Sequence, residues 1–554
     1  MSLKQYGIYL AFPPTVDLRA EGLGRHLAMF LKGAEKLGDA RFIIVCPSWS
    51  QETLHTLFES EQVSAEVFEI ASPQNKPYIL SVFEAWRAYR SRSKRRSGRF
   101  QRMLDFAMGK VSRVWQVFAK KAVAVNSFAS MVAFLLLSLA ALIVALPISI
   151  IALPVAAILV IKRGWSMMRR HASSQIKWCH KIASRINSLL ARPDKEGLLF
   201  RLFDEMQKIE AGRMQDIIDS LPRVRAWYSP TAFWPSFNKI KAPRLMCVPD
   251  VVLNDFPVGF SMLGGNRLAT VYETLEKSIK GGCNFVTYSE ATKWNTLIDR
   301  YGIPAINVKV VPHAPNDLHH WIKITGFPDV EATSRKYCQS LMRGALQRST
   351  NVDYTSAFNN GDVEFLFYAS QFRPSKNVMT LLRAYLHLLR RRYLGVKLVL
   401  TGHPSAIPEI WQFIFDNRLE NDVIFLHGLK IEELAAFYKL ATLAVNPSLS
   451  EGGCPFTFTE ALSVGTPVVM ARIPVTEEVI QDPDVQDATF FDPYDWEDCA
   501  SRIEWAIKNR AELLSLQLKT YAELCERSWT DVVREHLQVL DEISAMNAVV
   551  PSNA

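Results

Sequence analysis

Residues 446–470, NPSLSEGGCPFTFTEALSVGTPVVM, combine two adjacent glycines, a predicted helix start and two glutamates. Gly453 and the glycine before it precede a short predicted helix, roughly Pro455 to Val464, whose first N–H groups have no backbone partners. The helix dipole adds positive potential there, so this helix start suits a phosphate group. Glu451 and Glu460 flank the same stretch. Carboxylates beside an anion site are best explained as acceptors of hydrogen bonds from sugar hydroxyls.

Two cations, Arg373 and Lys376, follow the predicted strand Asp362 to Tyr368 in the segment SQFRPSKN. A nucleoside diphosphate is an anionic leaving group, and two cations at a strand end can neutralise it without a metal ion. The sequence offers no convincing Asp-x-Asp for a metal, because Asp482-Pro483-Asp484 falls in a predicted surface loop. We therefore expect no cofactor beyond a nucleotide-sugar substrate, and activity in the presence of EDTA.

These stretches resemble glycosyltransferase family 4, in which two glutamates are followed by Ala-x-x-x-Gly-Thr-Pro-Val-Val. Glu460 to Val469 match that pattern, and Arg373 to Lys376 match the family loop with a basic residue, Pro, x and Lys. The spacing departs by one, since eight residues rather than seven separate Glu451 from Glu460. The resemblance implies an α/β fold with two Rossmann-like domains facing a cleft (GT-B). It also implies retaining transfer of a hexose from a nucleotide-diphosphate sugar.

The resemblance assigns roles to the main residues of the predicted site, whereas Gly24 and Asp250 are equally well explained as turn residues. Glu451 would hold the donor hexose, while Arg373 and Lys376 would hold its diphosphate; these three are the predicted catalytic residues. The predicted donor-binding residues are Glu460, which would hold the nucleotide ribose, and Gly453, Cys454, Pro455, Phe456, Gly24, Arg25 and Asp250. A donor-contacting histidine of the family is replaced by Pro249. The nucleotide is left open between GDP and UDP, and the QFRP-x-K form resembles some mannosyltransferases.

The elements that position these residues read as alternating strands and helices. The predicted strands Tyr6 to Phe12 and Arg41 to Pro47 enclose a glycine-rich turn and an amphipathic helix, as at the start of a Rossmann-like unit. Another predicted strand, Leu245 to Val248, ends shortly before Asp250. The final segment RSWTDVVREHLQVLDEI resembles the closing helix of the family, which crosses back to the first domain.

Residues 122–161 form a run of 40 residues without a charged side chain. One straight helix of that length would be about 60 Å long, about twice the hydrocarbon core of a bilayer. Pro147 and Pro154 disfavour such a rod, so we predict a hairpin that crosses twice or is re-entrant. The basic and aromatic flank, residues 86–118, favours an anionic lipid leaflet over a nucleic-acid partner. A buried pair of core helices is the remaining alternative.

Length and composition allow several domains in the 554-residue chain. We predict an N-terminal Rossmann-like domain in two parts, residues 1–85 and 198–318, interrupted by the basic and membrane-inserted region 86–197. A hinge region, 319–361, leads to a C-terminal nucleotide-sugar-binding domain, 362–554. Eight scattered cysteines without Cys-x-x-Cys argue against a zinc site and a disulfide framework. The first residues do not have the pattern of a signal peptide.

The sequence therefore predicts a hexosyltransferase held at the inner (cytoplasmic) membrane, with its catalytic domains on the cytoplasmic side because both flanks of the hairpin are basic. Its expected partners are a nucleotide sugar, a lipid-linked or polysaccharide acceptor and anionic membrane lipids, with no nucleic acid. The alternative is a non-catalytic, GT-B-like membrane scaffold of a polysaccharide assembly complex.

Overall fold

The computed structural model describes residues 3–78 (except 15, 17 and 19–21), 80–81, 84–85, 198–264, 267–348 and 363–549. The chain divides into two compact units, Met1–Gln74 with Phe203–Ala554, and Asn75–Leu202. Residues 86–197, which include the predicted membrane hairpin, lie outside the described residues. Within the described ranges, no helix combines the length and the apolar character needed to span a membrane.

The first sheet of the larger unit has seven parallel strands in the order β3-β2-β1-β4-β5-β6-β7. They are Lys4–Tyr9 (β1), Ala40–Val45 (β2), Phe68–Ala71 (β3), Trp227–Ser229 (β4), Arg244–Cys247 (β5), Phe285–Thr287 (β6) and Val308–Val310 (β7). Strands β1, β2, β4, β5 and β6 are mostly buried, as expected when helices cover both faces of a parallel sheet. The strand order reverses between β1 and β4, which makes that point the switch point of the sheet.

The helices around the first sheet follow the strands in chain order. They are Gly22–Leu37 (α1), Gln51–Ser60 (α2), Leu198–Asp219 (α3), Val252–Asp255 (α4), Pro257–Gly264 (α5) and Arg267–Lys280 (α6), with a π-helical segment Thr292–Ile298. The glycine-rich turn predicted before the first helix is instead part of that helix, because α1 already begins at Gly22. A side chain at Gly24 would collide with the backbone carbonyl of Leu18, so glycine permits this close approach.

The second sheet has six parallel strands in the order β10-β9-β8-β11-β12-β13. They are Phe365–Tyr368 (β8), Lys397–Leu400 (β9), Val423–Phe425 (β10), Leu443–Asn446 (β11), Val468–Ala471 (β12) and Phe490–Phe491 (β13). The chain runs outward from β8 to β10 on one side and from β11 to β13 on the other. The switch point of this sheet therefore lies between β8 and β11.

The helices that follow β7 pack mainly on the second sheet. They are His319–Ile322 (α7), Val330–Leu346 (α8), Val378–Arg390 (α9), Pro408–Asp416 (α10), Ile431–Leu440 (α11), Phe456–Ser463 (α12), Pro474–Val479 (α13), Pro483–Thr489 (α14), Trp496–Lys508 (α15), Arg510–Cys525 (α16) and Trp529–Val549 (α17). The sequence pattern did not predict α8, which lies within the predicted hinge region. Three of its five buried residues, Ser334, Cys338 and Ala345, are small, so few large apolar side chains mark this helix in the sequence.

The last helix, α17, does not stay with the second sheet. Trp529, Val533 and Leu540 are buried in the hydrophobic core of the first sheet, and α17 packs along α1. At the closest point, Gly33 of α1 lies against the backbone carbonyl of Trp529, where any side chain would collide. The return of the closing helix to the first domain, which the resemblance implied, is confirmed.

Candidate functional site

Lys376 and Glu451 meet at the switch point of the second sheet. Lys376 ends the short 3₁₀ turn after β8, and Glu451 lies in the loop after β11. Lys376 Nζ is 2.7 Å from Glu451 Oε1, and the two side chains are 23% and 18% exposed. Lys376 Nζ also donates a hydrogen bond to Ser448 Oγ at 3.3 Å. The loops after two adjacent parallel strands thus bring a cation and a carboxylate together where open α/β sheets bind ligands.

Two local features fix the turn that carries Lys376. Asn377 takes the left-handed conformation (φ +50°), which ends the turn, and its side-chain amide donates to the Pro493 carbonyl at 2.7 Å. The turn is also tied to the neighbouring loop, because the Leu449 N–H donates to the Ser375 carbonyl at 2.7 Å. The backbone that carries Lys376 is therefore fixed by hydrogen bonds on both sides of this residue.

Arg373 and Asp250 belong to the same group of charges. Arg373 is exposed, and its guanidinium donates to Gln371 Oε1 at 3.4 Å. Asp250 follows β5 of the first sheet. Burial raises the pKa of its carboxyl group; Glu451 adds to the rise, while Lys376 and Arg373 oppose it. The structure thus brings together four of the predicted site residues, with Asp250 coming from the first sheet and the other three from the second.

The glycine loop before α12 is pressed against the first sheet. A Cβ on Gly453 would lie 2.9 Å from Tyr288 Cβ and 3.0 Å from His313 Nε2, and one on Gly452 would collide with the Pro249 carbonyl. Only glycine permits this approach, which places the loop between the carboxyl ends of β5, β6 and β7. His313 also packs against Phe456 of α12, with ring centroids 4.6 Å apart.

The start of α12 has the features expected of an anion site. Pro455 is its N-cap residue and supplies no side-chain hydrogen bond, so no side chain caps the first N–H groups of the helix. Cys454 precedes it, and burial raises the pKa of its thiol to about 12, with Glu451 adding to the rise. The thiol therefore stays neutral near pH 7.

Glu460 has a different partner from Glu451. Its carboxylate is 2% exposed and forms an ion pair with Arg25 of α1, with Arg25 Nη1 2.9 Å from Glu460 Oε1. Asn316 Nδ2 donates to the same oxygen at 3.3 Å. The predicted donor-binding residues Arg25 and Glu460 are thus in direct contact, but Glu460 does not contact the Lys376–Glu451 pair. Gly24, predicted beside Arg25, packs against the Leu18 backbone.

Three residues of this region were missed from the sequence: Asn316, His313 and Ser448. Asn316 and His313 lie in the segment VVPHAPN immediately after β7, and a polar residue at the carboxyl end of a parallel strand was the available signal. Burial lowers the pKa of His313 to about 4, so its ring is neutral near pH 7.

Comparison with solved structures defines the class of fold. The crystal structure of Anabaena Alr3699/HepE in complex with UDP and glucose matches with a TM-score of 0.51 at 13% identity, covering 98% of this chain and 100% of that one. The N-terminal domain of Candida albicans trehalose-6-phosphate phosphatase matches with a TM-score of 0.53 at 10% identity, covering 98% and 97%. At such identities the likeness concerns the fold, an α/β architecture of two parallel sheets of the GT-B kind.

The sequence of the second half gives a narrower result. Residues 355–524 match the family model described as "Glycosyl transferases group 1". This region contains Arg373, Lys376, Glu451 and Glu460 and ends before α17. The C-terminal half is therefore similar to group 1 glycosyl transferases in sequence.

Curated relatives match over part of the chain. The O-antigen chain mannosyltransferase RfbU of Salmonella typhimurium is 32% identical over 111 residues, which are 19% of this chain and 30% of that protein. The serotype-specific mannosyltransferase WbdA of Escherichia coli is 30% identical over 181 residues, 32% of this chain and 21% of that protein. The chain thus spans less than a third of the length of these relatives.

Proposed function

We propose that the protein is a retaining glycosyltransferase that transfers a hexose from a nucleotide-diphosphate sugar to a membrane-linked glycan or polysaccharide. The observation that carries this proposal is the Lys376–Glu451 pair at the switch point of the second sheet, beside the uncapped start of α12. The pair lies inside the region that matches group 1 glycosyl transferases.

The charges of the site suit departure of a nucleoside diphosphate. Lys376 and Arg373, with the first N–H groups of α12, stabilise the negative charge that develops on the leaving phosphate. Because these donors are held in place before reaction, they need little reorganisation, which favours the transition state. Glu451 accepts hydrogen bonds from donor hydroxyls and orients Lys376. Glu460 serves the ribose, and this transfer proceeds without an added metal ion.

Mannose is our first expectation for the transferred sugar. The two curated relatives are mannosyltransferases by name, and the QFRP-x-K segment of this chain, which includes Arg373 and Lys376, pointed the same way. GDP-mannose is therefore the first donor to test and UDP-hexoses are the second.

The acceptor is proposed to lie at the cytoplasmic face of the inner membrane. The uncharged run 122–161 and its basic flanks support attachment to an anionic leaflet as a hairpin. Attachment concentrates the enzyme beside a lipid-linked acceptor. Flotation of the full-length protein with vesicles containing anionic lipid, in high salt, tests this part. Recovery at the bottom of the gradient would refute it.

A donor screen of the full-length protein, in detergent and EDTA, tests the activity itself. We expect nucleotide release from one donor when host membranes supply the acceptor. Lys376→Ala and Glu451→Ala should each reduce turnover by about a hundredfold or more, because each removes transition-state stabilisation at the leaving group or the sugar.

Lys397→Ala is the matched control. Lys397 is the first residue of β9 and forms an ion pair with Asp422 at 2.6 Å. The variant therefore removes a similar contact at the amino-terminal ends of the strands, whereas the site lies at their carboxyl ends. Its turnover should stay within about twofold of wild type, since the pair lies far from the proposed reaction. Wild-type rates in Lys376→Ala and Glu451→Ala would refute the site. Absence of nucleotide binding in the wild-type protein would favour the scaffold alternative.

A further inference from the structure

The carboxylate of Glu460 is already engaged by two side chains, Arg25 and Asn316. Arg25 and Asn316 both donate to its Oε1, at 2.9 Å and 3.3 Å. A hydroxyl group that donated to this oxygen would need the position that the Arg25 guanidinium holds. The side chains of Glu460 and Arg25 are 2% and 26% exposed, so the arginine covers the carboxylate on its solvent side.

The ion pair also joins the two switch points. Arg25 lies in the first turn of α1, which follows β1, and Glu460 lies on α12, which follows β11. Asn316 comes from the segment after β7. Opening this contact therefore changes access to the gap between the sheets, which is where the proposed donor binds.

A second observation points to a missing hydrogen-bond partner beside Glu460. Asn316 is 6% exposed, and its side-chain oxygen Oδ1 is buried with no hydrogen-bond partner. Its amide nitrogen already donates to Glu460, so the remaining atom is an acceptor. A carboxylate with a neighbouring amide oxygen is a pair of acceptors, which matches the two donors of a vicinal diol.

A second carboxylate, that of Glu61, attracts Arg25 electrostatically. Glu61, at the end of α2, is 9% exposed, and its attraction adds to that of Glu460 in raising the pKa of Arg25. Glu61 also lies 3.9 Å from Lys32, a long contact that leaves it weakly neutralised. Burial raises the pKa of Glu61 as well, while Lys32 and Arg25 oppose the rise. The charge of Glu61 therefore attracts the Arg25 guanidinium in competition with Glu460.

We propose that Arg25 is a gate on the nucleotide site: it competes with the ribose hydroxyls of the donor for Glu460 and moves toward Glu61 when the donor binds. This inference rests on the proposed function. The two hydroxyl groups of the donor ribose replace the guanidinium. One donates a hydrogen bond to Glu460 Oε1 and the other to Asn316 Oδ1. Asn316 is thereby a second ribose-binding residue.

Nucleotide titration of the full-length protein in detergent tests the gate. If the Arg25–Glu460 ion pair is formed in about 90% of the molecules, removing it lowers the apparent Kd for nucleotide roughly tenfold. Arg25→Gln removes the charge and keeps a hydrogen-bond donor near Glu460, so the fold is preserved more safely than with alanine. The probes are GDP and UDP, measured by calorimetry, and their 2′,3′-dideoxy analogues, which lack the diol.

Glu61→Gln supplies the opposite perturbation. It removes the alternative carboxylate without touching the nucleotide site, so Arg25 stays longer on Glu460 and the affinity for nucleotide should fall severalfold. Tighter binding in Arg25→Gln together with weaker binding in Glu61→Gln supports the gate, provided that the dideoxy analogues show neither change. Weaker or unchanged binding in Arg25→Gln overturns it.

The two proposals fail in different ways. If the wild-type protein binds no nucleotide, the proposed function fails and the gate fails with it. If the wild type binds nucleotide but Arg25→Gln binds no more tightly, the gate alone fails. In that case Arg25 is a ligand-holding or purely structural residue.

Discussion

His536 makes the stability of the protein depend on pH in a way that can be calculated. Its side chain is fully buried on α17, with ring centroids 5.3 Å from Phe30 and 5.4 Å from Tyr228. The Nδ1–H donates to the Val532 carbonyl at 2.8 Å, and Nε2 has no hydrogen-bond partner. Burial lowers the pKa of His536 from 6.5 to about 4, opposed by the Val532 carbonyl and Glu535 and reinforced by Arg527.

The sign follows from which state takes up protons. Between pH 6.5 and 4 the histidine binds a proton in the unfolded chain but not in the folded protein, so stability falls as the pH falls through this window. At about 1.4 kcal/mol per pKa unit, the shift corresponds to about 3.5 kcal/mol in all, of which about 2.5 kcal/mol is lost by pH 4.5.

His536→Phe removes the titrating group and keeps an aromatic ring beside Phe30. Losing the bond to Val532 lowers stability at pH 7.5 by about 1 kcal/mol, since the carbonyl keeps its helical partner. Urea unfolding monitored by circular dichroism should then show the variant losing about 2.5 kcal/mol less than wild type between pH 7.5 and 4.5. His55→Phe, at an exposed position of α2, is the control and should follow wild type. A His536→Phe curve parallel to wild type would refute the buried neutral histidine.

Two further predictions concern packing. Gln517 is fully buried and joins α16 to β12, because its side-chain amide bonds both the N–H and the carbonyl of Val468, at 3.0 Å and 2.6 Å. Gln517→Leu should therefore reduce the unfolding free energy by about 3 kcal/mol. An unchanged urea midpoint would contradict this. Gly33→Ala places a methyl group against the Trp529 carbonyl and should lower the stability of the fold by about 2 kcal/mol. Gly212 of α3 has open space around it, so Gly212→Ala should raise the stability by up to about 1 kcal/mol. Equal melting temperatures for the two alanine variants would argue against the close helix contact.

The switch-point loops of the second sheet were predictable because their information is local. The apolar run before Asn446, the glycines and the following helix were expected near their observed positions, and Lys376 was expected to follow the first strand of that half. Parallel strand order then forces the loops after β8 and β11 to be neighbours. The prediction that Lys376 and Glu451 face one shared gap thus rested on local pattern, and their ion pair was seen only in the structure.

The partner of Glu460 was not predictable in the same way. Arg25 is 435 positions away in sequence, and its contact depends on how the two sheets approach each other. The sequence also gave no sign that His26 and His313 would share one aromatic cluster with Trp529, because each comes from a different element. Such contacts are tertiary, and neither periodicity nor local propensity encodes them.

The docking of α17 on α1 has a consequence for how the molecule is made. A ribosome releases the first sheet long before it has polymerised Trp529, Val533 and Leu540, which complete the hydrophobic core of that sheet. Part of the apolar surface of the N-terminal half therefore stays exposed to solvent until α17 has been synthesised. A nonsense codon before Trp529 would therefore destabilise the N-terminal half, although that half is synthesised in full.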